Sequence, residues 1–177
     1  MINKEFHRLY NADMKRYNGS GGNVHRFHFW LRLASTTNNK FVKLLARFVI
    51  HRWRDKYGLE IMYTTKIGPG LCLCHPYNIT VNSYSVLGSN ISLYKGCTIG
   101  QENRGKRKGS PIIGNKVWVG TNAQVIGNIT IGDDVLIAPN SFVNCDVPSH
   151  SVVYGNPCVI KQRDRATESY IYNCFEE

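Results

Sequence analysis

The 177-residue chain is 42% apolar and 19% charged, enough for one hydrophobic core and too little for two large domains, and its glycine and proline content is far below that of a collagenous or low-complexity chain. No uncharged apolar run is long enough to span a membrane, and residues 1–6 lack the order of a secretory signal, so the expected compartment is the cytoplasm and the six cysteines (72, 74, 97, 145, 158, 174) are expected as free thiols. The formal net charge is +10, and twelve of the Lys/Arg against three Asp/Glu fall in residues 1–59, which confines the basic surplus to the N-terminal third. That third has no zinc-finger, RNP-type or helix-turn-helix pattern, so its charge reads as the solvated face of helices and nucleic acid is not an expected partner. Apolar residues at helical spacing predict two helices, one over 24–34 and one carrying Phe41, Leu44, Leu45, Phe48, Val49 and Trp53, with Gly58 as the stop. Residues 1–58 thus form a helical region that packs on the remainder of the chain or against another subunit. A basic amphipathic helix lying on a membrane surface is the less favoured reading.

From residue 59 a different period takes over. Ile113, Val119, Val125, Ile131, Ile137 and Val143 recur every six residues, usually followed by Gly or Ala, and the same register runs upstream through Ile61, Ile67, Leu73 and Ile79. After a two-residue shift it resumes as Val81, Leu87, Leu93 and Ile99. A period of six is neither helical nor that of one long strand; it fits short strands joined by tight corners, each sending one large apolar residue inward. The chain is therefore mainly β: a parallel β-helix over residues 59–160, a little over four coils tall, interrupted by a loop at 100–112. Residues 161–177 read as a polar, mobile tail. The unpaired edges of the end coils require caps, and the N-terminal helices are the natural source of one.

A β-helix is a scaffold, so function must come from side chains on its outside. Among six histidines only His75 and His150 lie within or just after the repeats, which excludes a three-histidine zinc centre, and Cys72-x-Cys74-His75 lacks a second ligand pair; no metal is expected. His75 stands two residues after an anchor, as do Lys95, Thr121 and Pro139 on later coils, so the four are predicted to line one corner. The hexad frame puts Ile61 beneath Ile79 and hence Glu60 one coil below residue 78, near the imidazole. A histidine steered by a carboxylate is a suitable general base; a solvated corner histidine is the plain alternative. The loop between Ile99 and Ile113, with Gln101, Arg104, Lys106 and Arg107, is glycine-rich and net positive, a composition suited to phosphate groups. Tyr63, Tyr77, Tyr94 and Trp118 offer aromatic surfaces for a sugar, ordinary packing being the simpler reading for each.

Residues 60–75 (EIMYTTKIGPGLCLCH), 91–100 (ISLYKGCTIG) and 126–132 (IGNITIG), with Val147-Pro148 and Gly155-Asn156-Pro157, together resemble the serine-acetyltransferase-like branch of the hexapeptide-repeat acyltransferases over about residues 58–161. The resemblance implies a left-handed β-helix, a homotrimer with active sites between neighbouring prisms, and acetyl-CoA as co-substrate along the groove between them. It implies that His75 is the catalytic base and that Glu60 stands where the family places the orienting aspartate. Lys95, the loop residues Gln101, Arg104, Lys106 and Arg107, Thr121, Pro139 and Lys161 are the expected donor-binding set. Cys74 and Ser110 fall at acceptor-binding positions, where serine acetyltransferases carry an aspartate and basic residues that hold the ammonium and carboxylate of serine. On that ground the expected acceptor is the hydroxyl of a sugar or surface-polysaccharide precursor. L-Serine is the alternative, and a non-catalytic β-helix or nucleic-acid-binding module the second.

Overall fold

Each hexad becomes one short strand and one corner in the computed structural model, which describes residues 2–19 and 22–176. Coil by coil the strands are β1 (Leu59–Ile61), β2 (Lys66–Ile67) and β3 (Cys72–Cys74); β4 (Ile79–Val81), β5 (Val86–Leu87) and β6 (Ser92–Tyr94); β7 (Thr98–Gly100), β8 (Ile112–Ile113) and β9 (Val117–Val119); β10 (Gln124–Ile126), β11 (Thr130–Ile131) and β12 (Val135–Ile137). A shortened fifth coil carries β13 (Phe142–Val143) and β14 (Ser151–Tyr154), with Val147 and Val153 buried; the stack is thus taller than the hexad count predicts. Parallel pairing yields three faces: A (β1, β4, β7, β10, β13), B (β2, β5, β8, β11) and C (β3, β6, β9, β12, β14). Finally β15 (Val159–Gln162) folds back antiparallel on β14. The anchors fill the axis and are buried, except Ile67, which packs half-buried against the cluster. Each fully buried anchor contributes roughly 1.5–3 kcal/mol by removal from water.

The register departs from the predicted frame at one corner. Ile61 pairs with Val81 and Leu59 with Ile79, so Glu60 lies beneath Thr80, not below residue 78. The first coil holds twenty residues and the next eighteen, because Cys74 pairs with Tyr94 while Thr80 pairs with Thr98. The two extra residues therefore fall between Cys74 and Thr80, at the corner that carries His75. There Tyr77 N donates to His75 O at 2.7 Å and Gly96 N donates to Tyr77 O at 3.0 Å, while His75 and Asn78 both adopt left-handed backbone with φ of 52°.

Three helices precede the prism, one more than the sequence predicts: α1 (Lys4–Tyr17), α2 (Val24–Thr36) and α3 (Lys40–Tyr57). The Asn3 side chain caps α1 by accepting from Phe6 N, and Asn39 caps α3 by accepting from Phe41 N and Val42 N. Gly58 ends α3 with φ of 66°, and a Cβ there would collide with Asn78. In α3 it is Ala46 and Ile50 that are buried; Phe41, Leu44, Leu45 and Phe48, predicted as its packing stripe, face outward, with Phe41 84% exposed. Among the described residues no helix is long and apolar enough to cross a membrane.

The helices close the open edge of the first coil with charge rather than grease. Asp13, fully buried, accepts from Gly70 N (3.1 Å) and Leu71 N (2.8 Å) and from Arg32 Nε (2.7 Å), and faces His28 Nδ1 at 2.9 Å. Arg32 donates onward to Ile67 O and Gly68 O, each at 2.7 Å, and Arg16 donates to Gly70 O and Ser92 Oγ. The Tyr17 hydroxyl accepts from Leu73 N at 2.8 Å. These edge groups would otherwise be buried without partners, at about 1–3 kcal/mol each. Arg16 and Arg32 are thus buried parts of a cap and not part of a solvated face.

The polar C-terminal segment, expected to be mobile, is tied down. Asp134 accepts from Ala166 N, Thr167 N and Thr167 Oγ1, and Asn90 exchanges two hydrogen bonds with the Phe175 backbone. Between these points Arg16 donates to Tyr172 O and Lys15 to Cys174 O, which straps the tail to α1 along the edge between faces B and C.

Candidate active site

The strand register stacks the predicted column. Cys74 pairs with Tyr94, Leu93 with Val119 and Val119 with Ile137, so His75, Lys95, Thr121 and Pro139 occupy one corner, between faces C and A, on four successive coils. Backbone bonds run between these corners: Lys95 N donates to Cys74 O at 3.1 Å, Asn122 N to Lys95 O at 3.1 Å, and Asn140 N to Thr121 O at 2.9 Å. Three spacings of about 4.8 Å make the column roughly 14 Å tall. The His75 and Lys95 side chains are exposed, Thr121 is half-buried and Pro139 exposed, so the corner is an open groove. The two-residue bulge pushes the imidazole out at its foot.

Next to His75 lies an aromatic series that is legible in the sequence only in part. Tyr94 sits with its ring centroid 6.2 Å from His75 and 4.7 Å from Trp118, which in turn meets Tyr170 of the tail edge-on at 5.2 Å. Trp118 is buried and serves packing; Tyr94 is the aromatic neighbour that flanks the imidazole. Tyr77 is exposed and packs edge-on against Tyr57, while Tyr63 is a partly buried contact of the core. No sequence signal could have brought Tyr170 here, because no hydrophobic pattern marks the path of the tail.

Glu60 is exposed on face A and lines a cavity of about 260 Å³ with His51 and Arg54 of α3, Met62, Thr80 and Asn82. Among the described residues no hydrogen bond or ion pair joins Glu60 to His75. The two stand on the first coil, Glu60 mid-face and His75 at that face's edge, so the structure brings them to the same side without contact.

The loop is a small hairpin rather than a loose excursion: Glu102 and Gly109 exchange backbone hydrogen bonds at 2.9 Å each, and Asn128 N donates to Arg107 O at 2.9 Å. Asn82 anchors its base, donating to Gln101 Oε1 and accepting from Ser110 Oγ. Gln101, Arg104, Lys106 and Arg107 are exposed there, at the corner between faces A and B. The width of face A, roughly 16 Å for five extended residues, separates them from the His75 column in one protomer. Cys74 and Ser110 are divided by the same face. Lys161, on β15, pairs with Val152 at the upper edge of face C, away from both the column's corner and the loop. Among the described residues no three His, Cys, Asp or Glu side chains converge to hold a metal ion.

Residues 110–145 match the family model described as bacterial transferase hexapeptide (six repeats). The chain is 34% identical over 134 residues to the serine acetyltransferase of Helicobacter pylori, covering 76% of this chain and 78% of that protein. The chain belongs to the serine acetyltransferase family. The Staphylococcus aureus (strain Mu50) serine acetyltransferase is 36% identical over 132 residues, 75% of this chain and 62% of that one. Among solved structures, the Neisseria gonorrhoeae serine acetyltransferase in complex with serine superposes with a TM-score of 0.71 at 28% identity, covering 90% of this chain and 70% of that one. The family's members are acetyl-CoA-dependent O-acetyltransferases, and this chain is one of them.

Proposed function

We propose that the protein transfers the acetyl group of acetyl-CoA to the hydroxyl of L-serine, with His75 as general base. The observation that carries the chemistry is the corner at residues 74–78, where a two-residue bulge presents an exposed imidazole at the foot of an open groove. His75 takes the acceptor hydroxyl proton as the oxygen attacks the thioester carbonyl; CoA leaves as thiolate and takes the proton from the imidazolium. No covalent enzyme intermediate is required. Lys95, one coil above on the same corner, lines the groove assigned to the donor. The acceptor is supported by the relatives, which are serine acetyltransferases, one of them solved with serine.

The donor's phosphates are assigned to the loop cations Arg104, Lys106 and Arg107, with Gln101, Thr121 and Pro139 along the groove. Because the loop and the His75 column lie on opposite edges of face A, a second protomer must bring its loop to this protomer's column. A homotrimer meets that need, and it gives the outward stripe Phe41, Leu44, Leu45 and Phe48 a surface to cover.

One observation favours the sugar reading. Beside His75 the chain carries Cys74 and Tyr94, and Ser110 ends the loop, so serine lacks two charge partners and a neutral polyol finds an aromatic flank. The deciding experiment monitors CoA release from acetyl-CoA with L-serine and with a panel of mono- and oligosaccharides. Saturable turnover with serine supports the reading. Turnover of a glycan together with inertness toward serine overturns it.

A further inference from the structure

The transfer chemistry uses no thiol, yet two cysteines stand directly before the base. Residues two apart on a strand share a face, and Cys72 and Cys74 of β3 approach each other with their Sγ atoms 3.5 Å apart. Both are free thiols, Cys72 buried and Cys74 half-buried. Their chemistry is unequal. The hydrogen bond shared with Cys74, and burial after it, push the Cys72 thiol far above the usual range; that same bond from Cys72 lowers Cys74 against the opposing effect of burial, with help from the Tyr94 hydroxyl and the Arg16 charge. Cys74 is therefore the readier nucleophile and Cys72 the resolving thiol.

We propose that Cys72 and Cys74 form a dithiol modification site that takes a low-molecular-weight disulfide as co-reactant and, once oxidised, withdraws His75 from the groove. The inference rests on His75 being the base. The Cys74 thiolate attacks one sulfur of the disulfide, forming a mixed disulfide and releasing one thiolate. That thiolate takes the Cys72 proton, and Cys72 Sγ attacks Cys74 Sγ, forming the intramolecular bond and expelling the second thiolate. Two protein thiols are oxidised and one small disulfide is reduced to two thiols.

The geometry couples this bond to the base. Consecutive outward residues of a strand project roughly in parallel, so their Cβ atoms begin about as far apart as their Cα atoms, roughly 6.6 Å, whereas a disulfide needs the two Cβ atoms at about 3.8 Å. The strand must pucker between residues 72 and 74. The β3–β6 ladder gives way at the Cys74–Tyr94 pair, and His75, the next residue, moves with it. A displacement of about 1 Å suffices for a loss on the order of a hundredfold in rate. A bond strained in this way is readily reduced, which makes the change reversible.

A second close pair, Cys145 and Cys158 with Sγ atoms 3.7 Å apart, lies at the top of the prism and serves as an internal comparison. Trypsin separates the pairs, since residues 67–95 contain only Cys72 and Cys74, and residues 117–161 only Cys145 and Cys158. The full-length protein is equilibrated with glutathione and glutathione disulfide at rising ratio, alkylated, digested and weighed, and the initial rate is read on the same samples. The expected result is a loss of two hydrogens in peptide 67–95, a rate at least about tenfold lower in proportion to it, and recovery of both with dithiothreitol. Cys72→Ser keeps the reduced rate and never shows the two-hydrogen loss, its peptide carrying only a glutathione adduct. The proposal is overturned if peptide 67–95 stays fully alkylated while 117–161 oxidises, or if it oxidises with the rate unchanged. Thiol oxidation needs no acceptor, so oxidation of 67–95 in a protein inert toward serine counts against the proposed function and leaves the dithiol chemistry standing, while an undiminished rate in His75→Ala removes the link between the dithiol and the base.

Discussion

Replacing Asp13 by Ala tests how the helices hold the first coil. The carboxylate is fully buried and satisfies two backbone amides of the first coil while neutralising Arg32. Removing one partner of a buried ion pair costs about 3–5 kcal/mol, and two orphaned amides add about 1–3 kcal/mol each before the site relaxes. Some of that is recovered because Arg32 keeps its bonds to Ile67 O and Gly68 O, so a net loss of about 5 kcal/mol is expected. For a chain of this size that lowers Tm by about 10–20 °C. Calorimetry or urea unfolding reads the loss, and hydrogen exchange at Gly70 and Leu71 localises it. A pH dependence accompanies it. Burial alone would raise the Asp13 pKa, but the Arg32 charge and the His28 hydrogen bond outweigh it and hold the carboxyl below its ordinary value. Its stabilisation is therefore complete above the unfolded pKa of roughly 3.9 and is lost as pH falls through the lower folded value. Asp13→Asn should flatten that acid limb. A Tm change under about 2 °C in Asp13→Ala, with unaltered exchange at residues 70 and 71, would refute the capping account.

Three further predictions concern the groove and the strap. His75→Ala should lower kcat/KM for acetyl transfer by about 10²–10⁴-fold with its thermal midpoint nearly unchanged, since the side chain is exposed; a loss under threefold would remove it from the mechanism. Combined Arg104→Ala, Lys106→Ala and Arg107→Ala should raise KM for acetyl-CoA about tenfold with little effect on kcat, and should weaken the salt dependence of kcat/KM, read from initial rates at several ionic strengths. Asp134→Ala removes three acceptor contacts to residues 166 and 167, so tryptic cleavage after Arg163 and Arg165 should quicken markedly while the prism stays folded; an unchanged cleavage rate would mean the strap is held elsewhere.

The repeat was legible because each hexad places one branched or aliphatic residue on the axis, a constraint that survives changes everywhere else. The coil register was not. Ile79 and Val81 both point inward from β4 and are both buried, so the hexad frame runs on smoothly to Ile79 although the stack is continued by Val81. The sequence therefore located His75 and its column but put Glu60 beneath the wrong residue. Helix α1 escaped notice because its buried face reads Phe6, Leu9, Ala12, Asp13 and Arg16, two of them charged and serving a neighbouring backbone. The tail escaped for a related reason: backbone hydrogen bonds to Asp134 and Asn90 hold it, and these leave no hydrophobic pattern to read.

The reversal of β15 bears on self-association. A prism whose last coil ended in parallel strands would present the same hydrogen-bonding template that its own first coil completes, and copies would add end to end without limit. Here the upper rim of face C is finished by a strand running the other way, and the lower rim is sealed by ionic side chains. The molecule has two incompatible ends, so copies do not add lengthwise into a fibre.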